Sequence, residues 1–406
     1  MLAQGRKMTG KYNDSKAILV LTHSYPRYKG DFAGNFVRLF AEEAQGLGLK
    51  VYVLAPSAPK VITRENIDGI KVRRFRYFIK QWEDLAYKGD MHKRAFKNFS
   101  GLVKFMLFSL SFFFSGLSLA LKPKISLIHA HWWIPSGIIG FFISIVTGRP
   151  LALSIHGTDL RIVSPRGIIG LLSKVVFGRA RFITVPSRYL RCRLLELVPQ
   201  VKEKVFVFPT PVEPAFFELP VEEEHHIWGR ILIVARLSRQ KNIGCAIKAL
   251  NILVRKGLKL RLVIIGEGEL AQELRGLVEK LRLSDYVEFH GFLRTHDIIP
   301  EYDRSWIFVL PSVKEGFGLV VVEAQARGIP VLGANSGAIP ELLKPGKTGF
   351  VFDPESPEEL ANLIERLYNN KGLWMRFSAE AVRWAQEKFS YKASAKQLHK
   401  LYEAFI

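Results

Sequence analysis

Two doubly wound α/β domains are what this sequence predicts, and three observations predict them. At 406 residues the chain exceeds what one ordinary core fills. Short apolar runs alternate with helical patterns along its whole length, the mark of parallel sheets buried on both faces. Midway, Pro209-Thr210-Pro211 and the acidic Glu222-Glu223-Glu224 break both patterns. The composition, 48% hydrophobic and 24% charged, is globular, and no internal repeat or low-complexity tract interrupts it.

Along the chain, polar residues 1–16 are expected to form a flexible tail, and the apolar run that follows, Ala17 to Thr22, is too short for a signal-peptide core. A first domain, residues 17–214, has strands expected at Ala17–Leu21, Val51–Ala55, Ile125–His129, Leu151–Ile155, Phe182–Val185 and Val205–Phe208. A second, residues 215–385, has them at Ile231–Val234, Arg261–Ile265, Val287–Phe289, Ile307–Leu310, Val331–Leu332 and Phe350–Phe352. Amphipathic patterns such as Asn35–Gly46, Ile243–Lys256, Leu270–Leu281 and Glu358–Asn369 fill the intervals, and residues 386–406 close the chain. Two such domains facing each other leave a cleft at the carboxyl ends of their strands, the usual ligand position. The only cysteines, Cys192 and Cys245, are far apart, which fits a reducing, cytoplasmic compartment.

Charge is placed unevenly. Residues 1–214 carry 33 Lys and Arg against 13 Asp and Glu, a net +20, while residues 215–406 carry 26 against 24, a net +2. Such asymmetry points to an anionic partner for the first half. From Lys71 to Phe105, Arg73, Arg74, Arg76, Lys80, Lys93, Arg94 and Lys97 interleave with Phe75, Tyr77, Phe78, Trp82, Tyr87 and Phe96. That pattern suits anionic lipid headgroups, at ~1 kcal/mol per basic residue near the surface. No nucleic-acid reader motif accompanies it. The run Leu102 to Leu121, with Lys104 its only charge, is long enough to span a bilayer. It contains five serines and glycines, however, and a span there would split the α/β pattern, so a buried or interface-lying helix is expected.

Chemistry concentrates where strands end. Glu315-Gly-Phe-Gly-Leu319 and Glu323 follow the strand Ile307–Leu310, with seven residues between the carboxylates. The glycines permit close backbone approach, and the helix that follows offers unpaired N–H groups to an anion. After Ile231–Val234, Arg236 can fork onto phosphate oxygens and Lys241 adds a point charge. His156-Gly157-Thr158-Asp159 follows another strand, and Lys29-Gly-Asp-Phe-Ala-Gly34-Asn35 links the first strand to its helix. Gly266-Glu-Gly-Glu-Leu-Ala271 matches a dinucleotide fingerprint, but it lies in the second unit of its domain and its two acids would face a pyrophosphate. His129 and His131 with Trp132-Trp133 end a strand and lack zinc-ligand spacing.

Taken together these segments resemble the family 4 retaining glycosyltransferases of the GT-B fold. The likeness rests on E-x7-E at Glu315–Glu323, R-x4-K at Arg236 and Lys241, His129-Ala-His-Trp, His156-Gly-Thr-Asp159, Gly328-Ile-Pro330, Ser336-Gly-Ala-Ile-Pro-Glu341, Thr348-Gly349 and the closing Phe389-Ser390 stretch. It covers nearly the whole chain. Two departures stand out: Thr210-Pro211-Val212-Glu213 replaces a common Asn-Gly-Val-Asp, and Ala235 replaces a frequent Gly. The resemblance implies a UDP- or GDP-sugar donor and no metal or other cofactor. It implies that Glu323 binds the ribose, that Glu315 and the amides of Gly316, Phe317, Gly318 and Leu319 hold donor sugar and phosphates, and that Arg236 and Lys241 stabilise the departing diphosphate. Gly34 would lie close to the same phosphates, His156 would touch the sugar near the reacting centre, and the C-terminal helix would cross back to the N-terminal domain.

The function expected is therefore retaining hexosyl transfer from a nucleotide-sugar to a lipid-linked or polysaccharide acceptor. A basic, acceptor-binding first domain would hold the enzyme on the inner face of the cytoplasmic membrane as a peripheral protein, while the second binds the nucleotide-sugar. Front-face displacement, with the leaving diphosphate as base, is the expected mechanism. Two alternatives are an epimerase of the same fold, which needs no acceptor, and a non-catalytic protein that binds anionic membranes without nucleotide affinity.

Overall fold

The computed structural model describes residues 16–405 except 29, 32, 88–90, 96, 165 and 219–224. The polar tail up to residue 15, Lys29 and Phe32 of the first loop, Phe96 and Glu222–Glu224 lie outside the described residues. The chain divides into two units, residues 1–211 with 394–406, and residues 212–393.

The N-terminal unit is built on eight strands: β1 Ala17–Leu21, β2 Lys50–Pro56, β3 Arg64–Ile67, β4 Ile70–Phe75, β5 Ile125–His131, β6 Leu151–Ser154, β7 Phe182–Val185 and β8 Val205–Val207. Their order is β3-β4-β2-β1-β5-β6-β7-β8, all parallel except the β3–β4 hairpin. One core cluster covers each face of this sheet, which is why β1 reads Ala-Ile-Leu-Val-Leu and is buried throughout.

The hairpin differs from the sequence reading. Lys71 to Phe75 lies in strand β4, Ile70–Phe75, joined to β3 through Asp68-Gly69, both at positive φ. Arg74 is buried, pairing with Glu65 at 2.7 Å and donating to the carbonyl of Pro26 at 2.6 Å, and Phe75 and Tyr77 are core residues. Arg76 faces Glu83 at 3.7 Å and Lys104 faces Asp84 at 3.1 Å. Much of the basic–aromatic stretch thus builds the unit instead of facing a partner.

The apolar run after it is the helix Phe99–Ala120, started by Asn98, whose side chain accepts from the Gly101 amide at 2.8 Å. Its Phe108, Phe112 and Gly116 pack against the sheet while Met106, Leu110 and Phe114 are exposed.

The C-terminal unit has six parallel strands: β9 Ile227–Val234, β10 Arg261–Ile265, β11 Val287–Gly291, β12 Ser305–Leu310, β13 Val331–Ala334 and β14 Gly349–Phe352. Their order is β11-β10-β9-β12-β13-β14. Helices cover both sides; Ile243–Arg255 buries Ile243, Ala246, Ile247, Leu250 and Leu253, an i, i+3, i+4 stripe. From Ser394 the chain belongs to the N-terminal unit again, where Ser394 Oγ donates to Glu43 at 2.9 Å and Tyr402 is buried.

In each sheet the strand order reverses at one point, β1/β5 in the first and β9/β12 in the second. The crevice at the carboxyl ends of such a strand pair is where open α/β sheets take ligands.

Candidate functional site

At the β9/β12 reversal two loops meet. β9 runs out into Arg236 and a single 3-10 turn, Arg239–Lys241, and β12 runs out into Pro311-Ser312 and Glu315. The Val313 amide donates to the Gln240 carbonyl at 2.8 Å, tying them together. Lys241 Nζ then reaches Glu315 Oε2 at 2.5 Å with both side chains largely enclosed. Arg236 is 70% exposed and only grazes Glu269 at 3.7 Å, so its fork is open to an incoming anion.

Glu315 is held from behind. A Cβ on Gly337 would lie 2.4 Å from the Glu315 carbonyl oxygen, and the Ala338 amide donates to that oxygen at 2.9 Å. The Ser336-Gly337-Ala338 segment is therefore the brace of the loop. Phe317 is buried and meets Phe389 edge-on at 6.1 Å, which anchors the loop and leaves only its backbone for a ligand. Gly318, at φ 100°, opens the helix Leu319–Ala326, whose N-terminus carries no side-chain cap.

One turn on, Glu323 is half-buried. Burial pushes its carboxyl up to about 7, and the charge of Glu213 adds to the rise, while the Tyr302 hydroxyl, donating at 2.8 Å, opposes it. Glu213 closes the Thr210-Pro211-Val212-Glu213 segment, which therefore bears on this carboxylate. Tyr302 escaped the sequence reading, because it sits on another helix, Thr295–Asp303, and nothing but the fold joins it to Glu323.

The Gly266-x-Gly268 turn has a different explanation from its motif. A Cβ on Gly266 would lie 2.0 Å from the Ala235 carbonyl oxygen, and one on Gly268 2.2 Å from that of Leu237. Both glycines let this loop pack on the β9 loop that carries Arg236.

The β1/β5 reversal of the N-terminal unit holds rings. His156 lies against Phe36 at 4.6 Å, Trp132 at 4.8 Å and His131 at 5.3 Å between ring centres, and His23 lies against Trp132 at 4.3 Å. The nitrogens His131 Nδ1 and His156 Nε2 are 3.1 Å apart and share a hydrogen bond. Burial lowers His156 to about 3 and His23 to about 4, so both imidazoles are neutral at physiological pH.

Asp159 organises this loop. Its Oδ1 accepts from the amides of His156 and Gly157 at 3.1 and 3.0 Å, and its Oδ2 from that of Trp133 at 3.1 Å. Trp132 is held at φ 62°, a left-handed conformation rare for a bulky side chain, beside His156. Gly34 also has a local cause: a Cβ there would meet the Ser24 carbonyl oxygen at 2.3 Å. His23 and Phe36 were not singled out from the sequence, and Trp132 was read there only as part of a strand end.

His129, His131 and Trp133 are buried core residues, and His129 bonds Tyr402 Oη at 3.1 Å and Ser154 Oγ at 2.9 Å. The structure thus brings Lys241 and Glu315 into contact, sets Arg236 on the loop that carries Lys241, and gathers Phe36 and His156 beside the Gly34 turn.

Comparison with known proteins gives the same division of the chain. A model of "Glycosyltransferase Family 4" matches residues 33–216, and one of "Glycosyl transferases group 1" matches residues 226–384. The chain is similar to the uncharacterized glycosyltransferase MJ1607 of Methanocaldococcus jannaschii, 28% identical over 303 residues that span 69% of this chain and 75% of the relative. It is also similar to the capsular polysaccharide biosynthesis glycosyltransferase CapM of Staphylococcus aureus, at 27% identity over 67% of this chain and 75% of CapM. Among solved structures it resembles Anabaena HepE in complex with UDP, with a TM-score of 0.72 and 18% identity across 96% of this chain and all of HepE.

Proposed function

Since the chain is a glycosyltransferase of family 4 with the GT-B fold, we propose that it transfers a hexose from a nucleotide-sugar, with retained anomeric configuration, to a lipid-linked or polysaccharide acceptor. Its place of work is the inner face of the cytoplasmic membrane, where it acts as a peripheral protein. The observation that carries this reading is the set of charges at the β9/β12 reversal: the Lys241–Glu315 pair at 2.5 Å beside an open Arg236 and a glycine-led helix N-terminus.

These groups suit a nucleoside diphosphate. Arg236 offers two N–H groups to phosphate oxygens, and Lys241 adds charge where the leaving group develops it, so no metal is needed for that step. Glu315 takes the donor sugar's hydroxyls, the amides following Gly316 the phosphates, and Glu323 the ribose. The HepE complex holds UDP, which favours a uridine donor within the UDP- or GDP-sugar class. CapM belongs to capsular polysaccharide biosynthesis, which supports a glycan or glycolipid acceptor.

His156 is neutral, so it serves the sugar as a hydrogen-bonding ring and not as a cation. Asp159 has both oxygens occupied by backbone amides and is no free nucleophile. That supports front-face displacement, in which the departing diphosphate takes the acceptor's proton as the new glycosidic bond forms.

Donor turnover with acceptor present, for Glu315→Ala and Arg236→Ala, tests the assignment. Each is expected to lose about 10²–10³-fold, the scale of removing one preorganised charge-stabilising group. Wild-type rates in both sink it, and product formed without acceptor would mark an epimerase.

A further inference from the structure

One face of the N-terminal sheet is covered by three helices, Phe99–Ala120, Ile138–Thr147 and Gly167–Arg179. Their inward side chains, among them Phe108, Phe112, Ile143 and Phe177, join one core cluster with the strands. The helices also hold one another. A Cβ on Gly116 would lie 2.6 Å from Ile143 Cδ1, and Arg179 Nε donates to Ser144 Oγ at 3.1 Å.

Their outward side chains are apolar too. Met106, Leu110 and Phe114 are 57%, 52% and 61% exposed, at i, i+4 and i+8 of the first helix. Ile145 and Val146 on the second and Ile168 and Leu171 on the third are exposed by 54% to 86%. A solvated surface helix carries charges on that side, whereas Phe99–Ala120 has one charge in all, Lys104. An apolar face spread over three adjoining helices marks an interaction surface.

Charge selects the partner. Residues 97–181, which build the whole layer, contain ten Lys and Arg and one acid, Asp159, and that acid is buried. Protein interfaces are depleted in lysine, while an interfacial helix on anionic lipid combines an apolar face with a basic surround. At the start of the first helix lies an open cavity of about 460 Å³ lined by Asp84, Arg94, Lys97, Asn98, Ser100 and Lys104. Arg94 and Lys104 share Asp84 at 3.7 and 3.1 Å, so with Lys97 the lining keeps a net charge of about +2, which suits a phosphate. Phe99, 81% exposed, adjoins it.

We propose that this three-helix layer docks onto an anionic phospholipid bilayer, its outer side chains entering the acyl boundary and the basic cavity receiving a headgroup phosphate. The first helix lies along the interface and does not cross it. Its 22 residues and mean hydropathy of 1.8 would suffice for a span, but Phe112 stacks on Phe75 of β4 at 4.5 Å and Phe108 is fully buried, contacts a span would strip away. The inference deepens the membrane part of the proposed function and rests on it for its purpose, though its test does not.

The full chain is co-sedimented with phosphatidylcholine vesicles with and without phosphatidylglycerol. Binding to the anionic vesicles is expected to exceed that to neutral ones by about tenfold or more and to fall as salt is added. The triple substitution Phe114→Glu, Ile145→Glu, Leu171→Glu, at exposed positions, is expected to lower binding about tenfold or more with an unchanged melting temperature. Lys97→Glu lowers it roughly fivefold or more.

Equal, salt-insensitive binding to neutral vesicles overturns the proposal. So does absence of binding together with a dimer that the triple substitution dissociates, which would assign the face to a second copy. Sugar transfer to a soluble acceptor analogue without any vesicle binding overturns it, together with the membrane location in the proposed function, while leaving the proposed transfer reaction intact. Vesicle binding without any transfer does the reverse.

Discussion

At its strand-order reversal the C-terminal unit shows ions, Arg236, Lys241 and Glu315, whereas the N-terminal unit shows rings, Phe36, Trp132 and His156, whose imidazole is neutral. The two sheets share a plan, and the loops filling equivalent places differ in kind. Ions at a helix N-terminus favour a phosphate. Aromatic and neutral imidazole faces favour an uncharged ring such as a sugar. By chemistry alone, the loops of the C-terminal unit suit an anion and those of the N-terminal unit an uncharged ring.

The largest effect should come from breaking the ionic side. Lys241→Met removes the partner of Glu315 and, on the proposed function, a cation from the diphosphate, and sugar transfer is expected to fall about 10²-fold or more. His156→Gln keeps a neutral hydrogen-bonding group, and its loss should stay near tenfold, the worth of one hydrogen bond of about 1 kcal/mol with some misplacement. Steady-state rates of both variants decide it. Equal losses would erase the distinction between ionic and neutral sides.

Much of this was legible in the sequence, for physical reasons. Strands β1 and β12 announce themselves because a strand covered on both faces is apolar nearly throughout, as in Ala17–Leu21 and residues 306–310. Glu315 and Lys241 were legible because charge directly after such a strand has few structural uses. The β3–β4 hairpin was not, since Arg64-Glu-Asn-Ile67 at a sheet edge carries no apolar run, and only Asp68-Gly69 signalled a turn. His23 and Phe36, and the packing of Trp132 on His156, were invisible in the sequence because strand topology, not spacing, brings these rings together. Tyr302 joins Glu323 across 21 residues in the same way.

A smaller effect separates the units by pH. Burial raises Glu323 from 4.5 to about 7, so the stability tied to its neutral form is present below 4.5 and is lost as pH rises through 7. On the proposed role of Glu323, nucleotide binding has the opposite sign, because ribose hydroxyls would donate to the ionised carboxylate. Affinity should climb as pH rises through about 7, with no inflection from His156, which sits near 3. Tyr302→Phe removes the donor that favours the carboxylate. Calorimetry with UDP should then show the inflection moved to higher pH and affinity at neutral pH lowered about tenfold, the worth of a hydrogen bond to a charged group. An unmoved inflection would mean that Glu323 does not meet the ribose.

The smallest effect tests whether neutral rings in the N-terminal unit also hold its last helix. His129 is buried and lowered to about 3, and its nitrogens meet two hydroxyls, Tyr402 Oη at 3.1 Å and Ser154 Oγ at 2.9 Å. Either tautomer satisfies both, because each hydroxyl can donate or accept. Tyr402→Phe keeps the ring, which packs edge-on against Phe40 at 6.3 Å and His129 at 6.2 Å, and deletes only the hydroxyl. Nδ1 is then left unpaired in the core, a cost of about 1–3 kcal/mol. Amide exchange in the helix Tyr391–Phe405 should accelerate by about fivefold or more, as expected for local opening. Transfer rates, which the proposed function ties to the ionic side, should change little. Exchange indistinguishable from wild type would mean that apolar packing of Leu398 and Tyr402 alone holds the helix, and that the imidazole's hydrogen bonds serve only to satisfy a buried polar group.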